Sequence, residues 1–346
     1  MDWSLVPFST TLVLLSVLVA EFSNGWTDAP TGTSAAVASG VLTSRQALLL
    51  TAAGNFAGLM AALVFGSAVA HTIGKGIVRA DLISIPSIGL AMVTTIAWAG
   101  AVARLGLPVS KTHSLLAALA GIGYAQGGFT ALLPASGNWQ DSGWVSAGSG
   151  FFIAIVGGSA MSWFITTIIA SSKLNEAIPD AWWRRFQRAT VCAVSTGHGF
   201  NDGLKYVGIF TLVLSMEMKR QGHVSNFQVL PWVVILCAVV MGAGTLVGGR
   251  KIHERLDGMV NGASRKKKFM PYMGVAAELT SAFSIWQSGV FGIPMSTNHA
   301  VVSAMAGAKS ADGKVHTGSV VRIFWGWVIT YGFCFSIAYL LAKGFL

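Results

Sequence analysis

The groups in this sequence that could do chemistry are carboxylates set among apolar and small residues, and hydroxyl-rich segments that follow a Gly-x-Pro break. Asp28 closes Asn24-Gly25-Trp26-Thr27-Asp28, and Asp202 closes His198-Gly199-Phe200-Asn201-Asp202. An ionised carboxylate in such surroundings is costly without a partner. Beside an anion site the economical partner is a cation, sodium or a proton, and Asn201 adds a neutral oxygen of the kind hard cations prefer. The alternative is internal pairing with Lys205, three residues after Asp202 on one helix face, or with another basic side chain. Glu21, two helical turns before Asp28, and Glu278 are further acids at membrane depth, where structural bracing is as reasonable as ion coupling.

The hydroxyl-rich segments are Gly106-Leu107-Pro108-Val109-Ser110-Lys111-Thr112-His113 and Gly292-Ile293-Pro294-Met295-Ser296-Thr297-Asn298-His299. Proline fits the first turn of a helix, where its missing N–H would be unpaired anyway. The exposed amides that follow, with Ser and Thr hydroxyls beside them and the helix dipole behind them, form a cradle for an oxyanion. Ser110, Thr112, Ser296 and Thr297 are the expected direct contacts, with simple helix capping as the alternative for each. The Lys205 ammonium would meet the same anion or neutralise Asp202. His113 and His299 are read as braces of the helix breaks through hydrogen bonds to backbone, with a proton-carrying or substrate-donating role as the alternative.

Both motifs occur twice, in the same order, 82 residues apart in one half (Asp28 to Ser110) and 94 in the other (Asp202 to Ser296). Repeated halves are a hallmark of secondary transporters, whose sites lie where the repeats meet near the bilayer midplane. Composition agrees: 53% of the 346 residues are apolar and only 10% charged, against about 25% charged in soluble domains. Long apolar segments at about 5–20, 46–70, 82–104, 143–170, 229–249, 271–292 and 318–344 approach or exceed the ~20 residues that span a hydrocarbon core. Shorter pieces at 31–42, 109–125, 190–216 and 296–308 predict broken or re-entrant segments, and 126–142 reads as a loop. The expected fold is thus an all-α integral membrane protein, a polytopic bundle of two inverted repeats with broken helices. Its expected divisions are 1–170, a basic cytoplasmic linker at 171–189, and 190–346 with a basic loop at 250–270.

The net charge of +10 does not indicate nucleic acid, because the charges lie in loops between apolar runs. Residues 171–188 and 250–268 hold 11 of the 23 Lys and Arg, so both clusters are expected on the cytoplasmic side; Lys219 and Arg220 run against that pattern. The N-terminal apolar stretch lacks a basic leader and reads as a retained membrane helix. Cys192, Cys237 and Cys334 show no metal-ligand spacing and read as small buried hydrophobes. Trp182, Trp183 and Trp232 read as interfacial anchors. No nucleophile–base pair or metal-ligand cluster is visible, which argues against an enzyme.

At these motifs the sequence resembles the inorganic phosphate transporter (PiT) family, which carries a Gly-x-Asn-Asp type and a Pro-Val-Ser-Thr-Thr-His type signature in each half. The resemblance implies uptake of inorganic phosphate coupled to sodium or a proton. It also implies a homodimer in the lipid of the cell membrane, no other cofactor, and alternating access in which one half rocks against the other. By position it carries these roles onto Asp28, Asn201, Asp202, Ser110, Thr112, Ser296 and Thr297. With Lys205 and Thr31 added, phosphate is expected on Ser110, Thr112, Ser296, Thr297 and Lys205, and the cation on Asp28, Thr31, Asn201 and Asp202, with sodium on Asp28, Asn201 and Asp202. Supporting roles fall to Glu21, Thr27, His113, Glu278, Asn298 and His299. The chain departs from the pattern at Thr27 and Thr31, where the family favours Asn or His and Asn, and at Lys111 and Asn298, where it has Thr. These changes leave the coupling ion open and keep a sulfate symporter as the alternative, with a passive anion channel behind it.

Overall fold

The computed structural model describes residues 2–79, 82–132, 142–224, 226–262, 268–313 and 315–346. The basic residues 265–267 and most of the loop expected at 126–142 lie outside the described residues. Among the described residues seventeen α-helices follow one another and no strand occurs. The first half holds α1 (Phe8–Thr27), α2 (Ala29–Gly32), α3 (Ser34–Ala38), α4 (Ser44–Phe65), α5 (Ala68–Gly76), α6 (Ile85–Leu105), α7 (Lys111–Gly127), α8 (Gly143–Phe152) and α9 (Gly158–Ser171). After α10 (Leu174–Ala177) come α11 (Asp180–His198), α12 (Leu204–Arg220), α13 (Pro231–Val247), α14 (Arg250–Asn261), α15 (Pro271–Val290), α16 (Thr297–Asp312) and α17 (Thr317–Phe345).

Six elements are long and apolar enough to cross a membrane: Phe8–Gly32, Ser44–Phe65, Ile85–Leu105, Lys111–Leu132, Gly143–Ser171 and Thr317–Phe345, with α13 and α14, bent by 67°, as a seventh. The expected short piece at 109–125 is therefore longer than its composition indicates, because a 3₁₀ turn at Gly128–Leu132 extends α7. Conversely, α15 lies at an expected span but is not among the six. Glu278 and its Ser and Thr residues lower its hydropathy, and most of its residues are buried against neighbouring helices, with Leu279 and Phe283 exposed.

The two halves interdigitate. α1 packs on α13 as α11 packs on α4; α1 packs on α6 as α11 packs on α15; and α7 packs on α17 as α16 packs on α9. Glycines at matching repeat positions allow these approaches. A Cβ on Gly25 would stand 2.0 Å from the Met241 carbonyl oxygen, and one on its counterpart Gly199 would stand 2.2 Å from that of Asn55. Gly121 and Gly307, each eleven residues after its motif serine, lie as close to Phe335 and Ser159. Small residues of this kind let helix backbones approach in a membrane, where lipid provides no hydrophobic drive for association.

The acidic motif is built differently in the two halves. Pro30 offers no N–H to continue α1, so that helix ends at Thr27 and restarts as α2. Leu204 stands at the equivalent position, so no break follows. Asp180 to Arg220 runs on as helix, with Gly199–Gly203 as one π-helical turn that carries Asn201 and Asp202. The piece expected at 190–216 as a broken segment is thus a continuous helix with a wide turn, a distortion common at functional sites.

The two basic clusters lie at one end of the bundle. Arg184 on α11 donates to the Gly40 carbonyl, and Asn261 on α14 donates to that of Ala38. Arg220, at the far end of α12, instead pairs with Glu217 and the Leu5 carbonyl. Trp182 and Trp232 are exposed, as interfacial anchors would be, but Trp183 is buried against Tyr272. Cys237 and Cys334 are buried and Cys192 is exposed.

Candidate functional site

Both hydroxyl-rich segments have one backbone plan. α6 ends in Gly106 (φ +63°) and α15 is followed by Gly292 (φ +70°), left-handed conformations that glycine adopts without strain. Pro108 and Pro294 then lead into Ser110 and Ser296, which cap α7 and α16. Each Oγ accepts from the amide three residues on, His113 at 3.2 Å and His299 at 3.4 Å. Capping uses an acceptor lone pair and leaves the hydroxyl proton free for an anion.

The two helix starts clasp each other. Asn298 Nδ2 donates to the Val109 carbonyl at 2.8 Å, and Thr112 Oγ1, at the matching position of the other half, donates to the Met295 carbonyl at 3.4 Å. Behind them the His113 and His299 rings pack against each other at a tilt of 42°, centroids 4.2 Å apart, with Tyr331 stacked on His113 and Trp327 edge-on to His299. His113 Nδ1 and both ring nitrogens of His299 have no hydrogen-bond partner among the described residues, so the expected backbone hydrogen bonds are not made by these atoms, and the rings contact the break through packing alone. Trp327 donates to the Pro108 carbonyl at 2.8 Å. Sequence reasoning missed the α17 aromatics and the Val109 and Met295 carbonyls. The Pro-Val and Pro-Met steps were the only signal for the carbonyls, since a broken helix leaves them free.

Each acid of the repeated motif faces a lysine. Asp28 Oδ1 accepts from Lys111 Nζ at 3.3 Å and Thr27 Oγ1 at 3.1 Å, and Oδ2 accepts from the Lys111 backbone amide at 3.2 Å. Its carboxylate therefore sits at the start of α7. Asp202 pairs with Lys205, whose ammonium also donates to Thr112 Oγ1 at 2.6 Å and to the Met295 carbonyl at 2.5 Å. Asp202 Oδ2 lies 3.2 Å from His198 Nε2, whose Nδ1 meets Asn55 Oδ1 at 2.9 Å. His198 is thus a site neighbour that its place in the motif could have flagged.

Unpaired oxygens surround these pairs. Asn201 donates to the Ile293 carbonyl at 3.2 Å, which leaves its Oδ1 without a partner, and the buried Oγ1 atoms of Thr31 and Thr297 also have none among the described residues. Glu21 is fully buried; one oxygen accepts from Asn24 at 3.2 Å, the other is unpaired, and the group lies within electrostatic reach of Asp202 and Lys205. Glu278 does not join them. It accepts from Gln187 at 3.1 Å and Thr190 at 2.6 Å and ties α15 to α11. The other expected site residues come together around the clasp.

Comparison with known proteins gives this arrangement a context. The model of the phosphate transporter family matches residues 24–183 and 171–338. The "Probable low-affinity inorganic phosphate transporter" of Bacillus subtilis (strain 168) is 31% identical over 327 residues, 93% of this chain and 92% of its own. The protein of that name from Rhizobium meliloti (strain 1021) is 31% identical over 322 residues, 90% and 89% of the two chains. A solved structure titled "The sodium-dependent phosphate transporter" shares the fold, with a TM-score of 0.76 over 98% of this chain and 100% of that one at 20% identity. These relatives are transporters rather than enzymes. Matched by the family pattern in both halves and by relatives along most of its length, the chain belongs to the phosphate transporter family.

Proposed function

We propose that this multi-pass protein carries inorganic phosphate across the cell membrane by alternating access. Phosphate would bind where α7 and α16 begin, and a cation would be coupled to it through the neighbouring carboxylates. The observation that carries this reading is the reciprocal clasp of two helix starts, one from each repeat, beside two acid–lysine pairs. A phosphate there meets the positive end of α16, the Ser296 and Thr297 hydroxyls, Thr112 and the Lys205 ammonium, all donors suited to an oxyanion.

Coupling follows from the pairing of Lys205. Without substrate its ammonium neutralises Asp202. When it turns to the phosphate, Asp202 is left ionised at membrane depth and needs another cation. A proton on Asp202 meets that need, as does sodium held by Asp202 with the unpaired oxygens of Asn201 and Thr297. Phosphate then raises the affinity for the cation, and the cation raises that for phosphate by the same factor.

Uptake into proteoliposomes with sodium and proton gradients imposed separately tests the reading, with sulfate as competitor. The expected result is phosphate accumulated above its external concentration by one of the gradients and unaffected by excess sulfate. Flux that only equilibrates, whatever the gradient, would make the protein a passive pore. Displacement by sulfate would change the substrate.

A further inference from the structure

The two acid–lysine pairs are not copies of each other. In the second half the lysine stands three residues after the acid, Asp202 and Lys205, and the first residue of the helix start is Thr297. In the first half the residue three after the acid is Thr31, and the first residue of the helix start is Lys111. Lysine and threonine have exchanged places between the repeats. Each aspartate keeps one ammonium, and the hydroxyl left at each exchanged position, Thr31 Oγ1 and Thr297 Oγ1, is buried with no partner among the described residues.

The exchange changes how each acid is held. Lys111 grips Asp28 at both oxygens, with its ammonium on Oδ1 and its own amide on Oδ2, and Thr27 adds a third bond. Lys205 divides its ammonium among Asp202, Thr112 and the Met295 carbonyl, two of which belong to the clasp where an anion would lie. A cation tethered through its own backbone is present at an effective concentration that free ions do not match. The donors of Lys205 can swing to an anion, whereas Lys111 is anchored where it is needed.

Resting on the function proposed above, the geometry points to Lys111 as a built-in counter-cation. It occupies the cation position of Asp28 throughout the cycle, so that only Asp202 loads a free coupling ion and one ion accompanies each phosphate. Lys111→Thr opens the first position, and Thr31→Lys restores an ammonium from the position Lys205 uses. Residues 28–31 form one helical turn, with the Thr31 amide 3.0 Å from the Asp28 carbonyl, so a lysine at 31 has the same i,i+3 relation to its acid.

The experiment measures cations moved per phosphate, from the gradient at which net flux reverses in proteoliposomes, together with thermal stability of the purified protein. The expected ratio is one for the natural sequence, two for Lys111→Thr, and one again for Thr31→Lys/Lys111→Thr. An unchanged ratio in Lys111→Thr overturns the inference. If the single variant does not assemble, the double variant decides: recovered assembly with a ratio of one supports the inference, and failure to recover, or a ratio of two, overturns it. If the natural sequence moves no phosphate, the functional reading fails, whereas the stability series still reports on the Asp28 pairing.

Discussion

Replacing Lys205 by methionine keeps the length of the side chain and removes the ammonium that ties Asp202 to Thr112 and the Met295 carbonyl. Breaking a buried ion pair by removing one partner costs about 3–5 kcal/mol. A second route to the magnitude agrees. The stranded Asp202 can escape ionisation by taking a proton, and at pH 7 that costs about 4 kcal/mol for a group that titrates near 3.9 in water. This cost falls by about 1.4 kcal/mol per pH unit, because the unfolded chain keeps its carboxylate ionised until the pH approaches 4. The variant should therefore be several kcal/mol less stable than the natural protein at pH 7 and should recover roughly 2–3 kcal/mol of the difference by pH 5. Asp202→Asn/Lys205→Met removes both charges and should lie close to the natural stability at every pH. Thermal unfolding of detergent-purified protein between pH 5 and 7 reads all three, and phosphate uptake by the double variant should still be abolished. A pH-independent single variant, or a double variant as unstable as the single, would refute the reasoning.

Asp202→Asn alone should leave membrane insertion intact and abolish gradient-driven phosphate uptake; retained coupling would remove this acid from the mechanism. Ser296→Ala deletes both a helix cap, at about 0.5–2 kcal/mol of stability, and a donor to a charged ligand, at about 1.5–3 kcal/mol of binding. Its phosphate KM should rise at least roughly tenfold, and an unchanged KM would mean that backbone amides alone hold the anion. His299→Phe keeps the aromatic contacts with His113 and Trp327 and should transport within about twofold of the natural protein, since near-isosteric core swaps cost under about 1.5 kcal/mol. A tenfold loss at unchanged stability would instead assign its ring nitrogens to proton transfer. Gly25→Val places a side chain where a Cβ alone would stand 2.0 Å from the Met241 carbonyl; this should prevent accumulation of folded protein in the membrane, and normal yield would show that α1 and α13 can separate without loss.

The clasp was legible because its chemistry repeats. Gly-x-Pro, serine and histidine recur at matched spacing, and both copies build the same left-handed glycine, the same serine cap and a shared histidine contact. What did not repeat was harder to read. Nothing in the sequence pairs Lys111 with Asp28 across 83 positions, because that contact depends on how α1 and α7 meet in space. Glu21 and Glu278 look alike in sequence, as acids within apolar runs, and only packing separates one beside the site from one tied to Gln187 and Thr190. The π-helical turn at Asp202 was hidden for another reason. A glycine-flanked acid fits a break and a wide turn equally well, and Pro30 against Leu204 is the difference that selects between them.

The matched glycines have a mechanical consequence. Where Gly121 rests on Phe335 and Gly307 on Ser159, α7 is packed backbone against backbone with α17, and α16 with α9. Each of these couples joins a helix of one repeat to a helix of the other. Gly25 and Gly199 weld α1 to α13 and α11 to α4 in the same crosswise manner. The two gene-order halves are therefore joined crosswise, and any motion that parted them would have to separate these glycine contacts, with the hydroxyl-bearing tips of α7 and α16 lying between the couples.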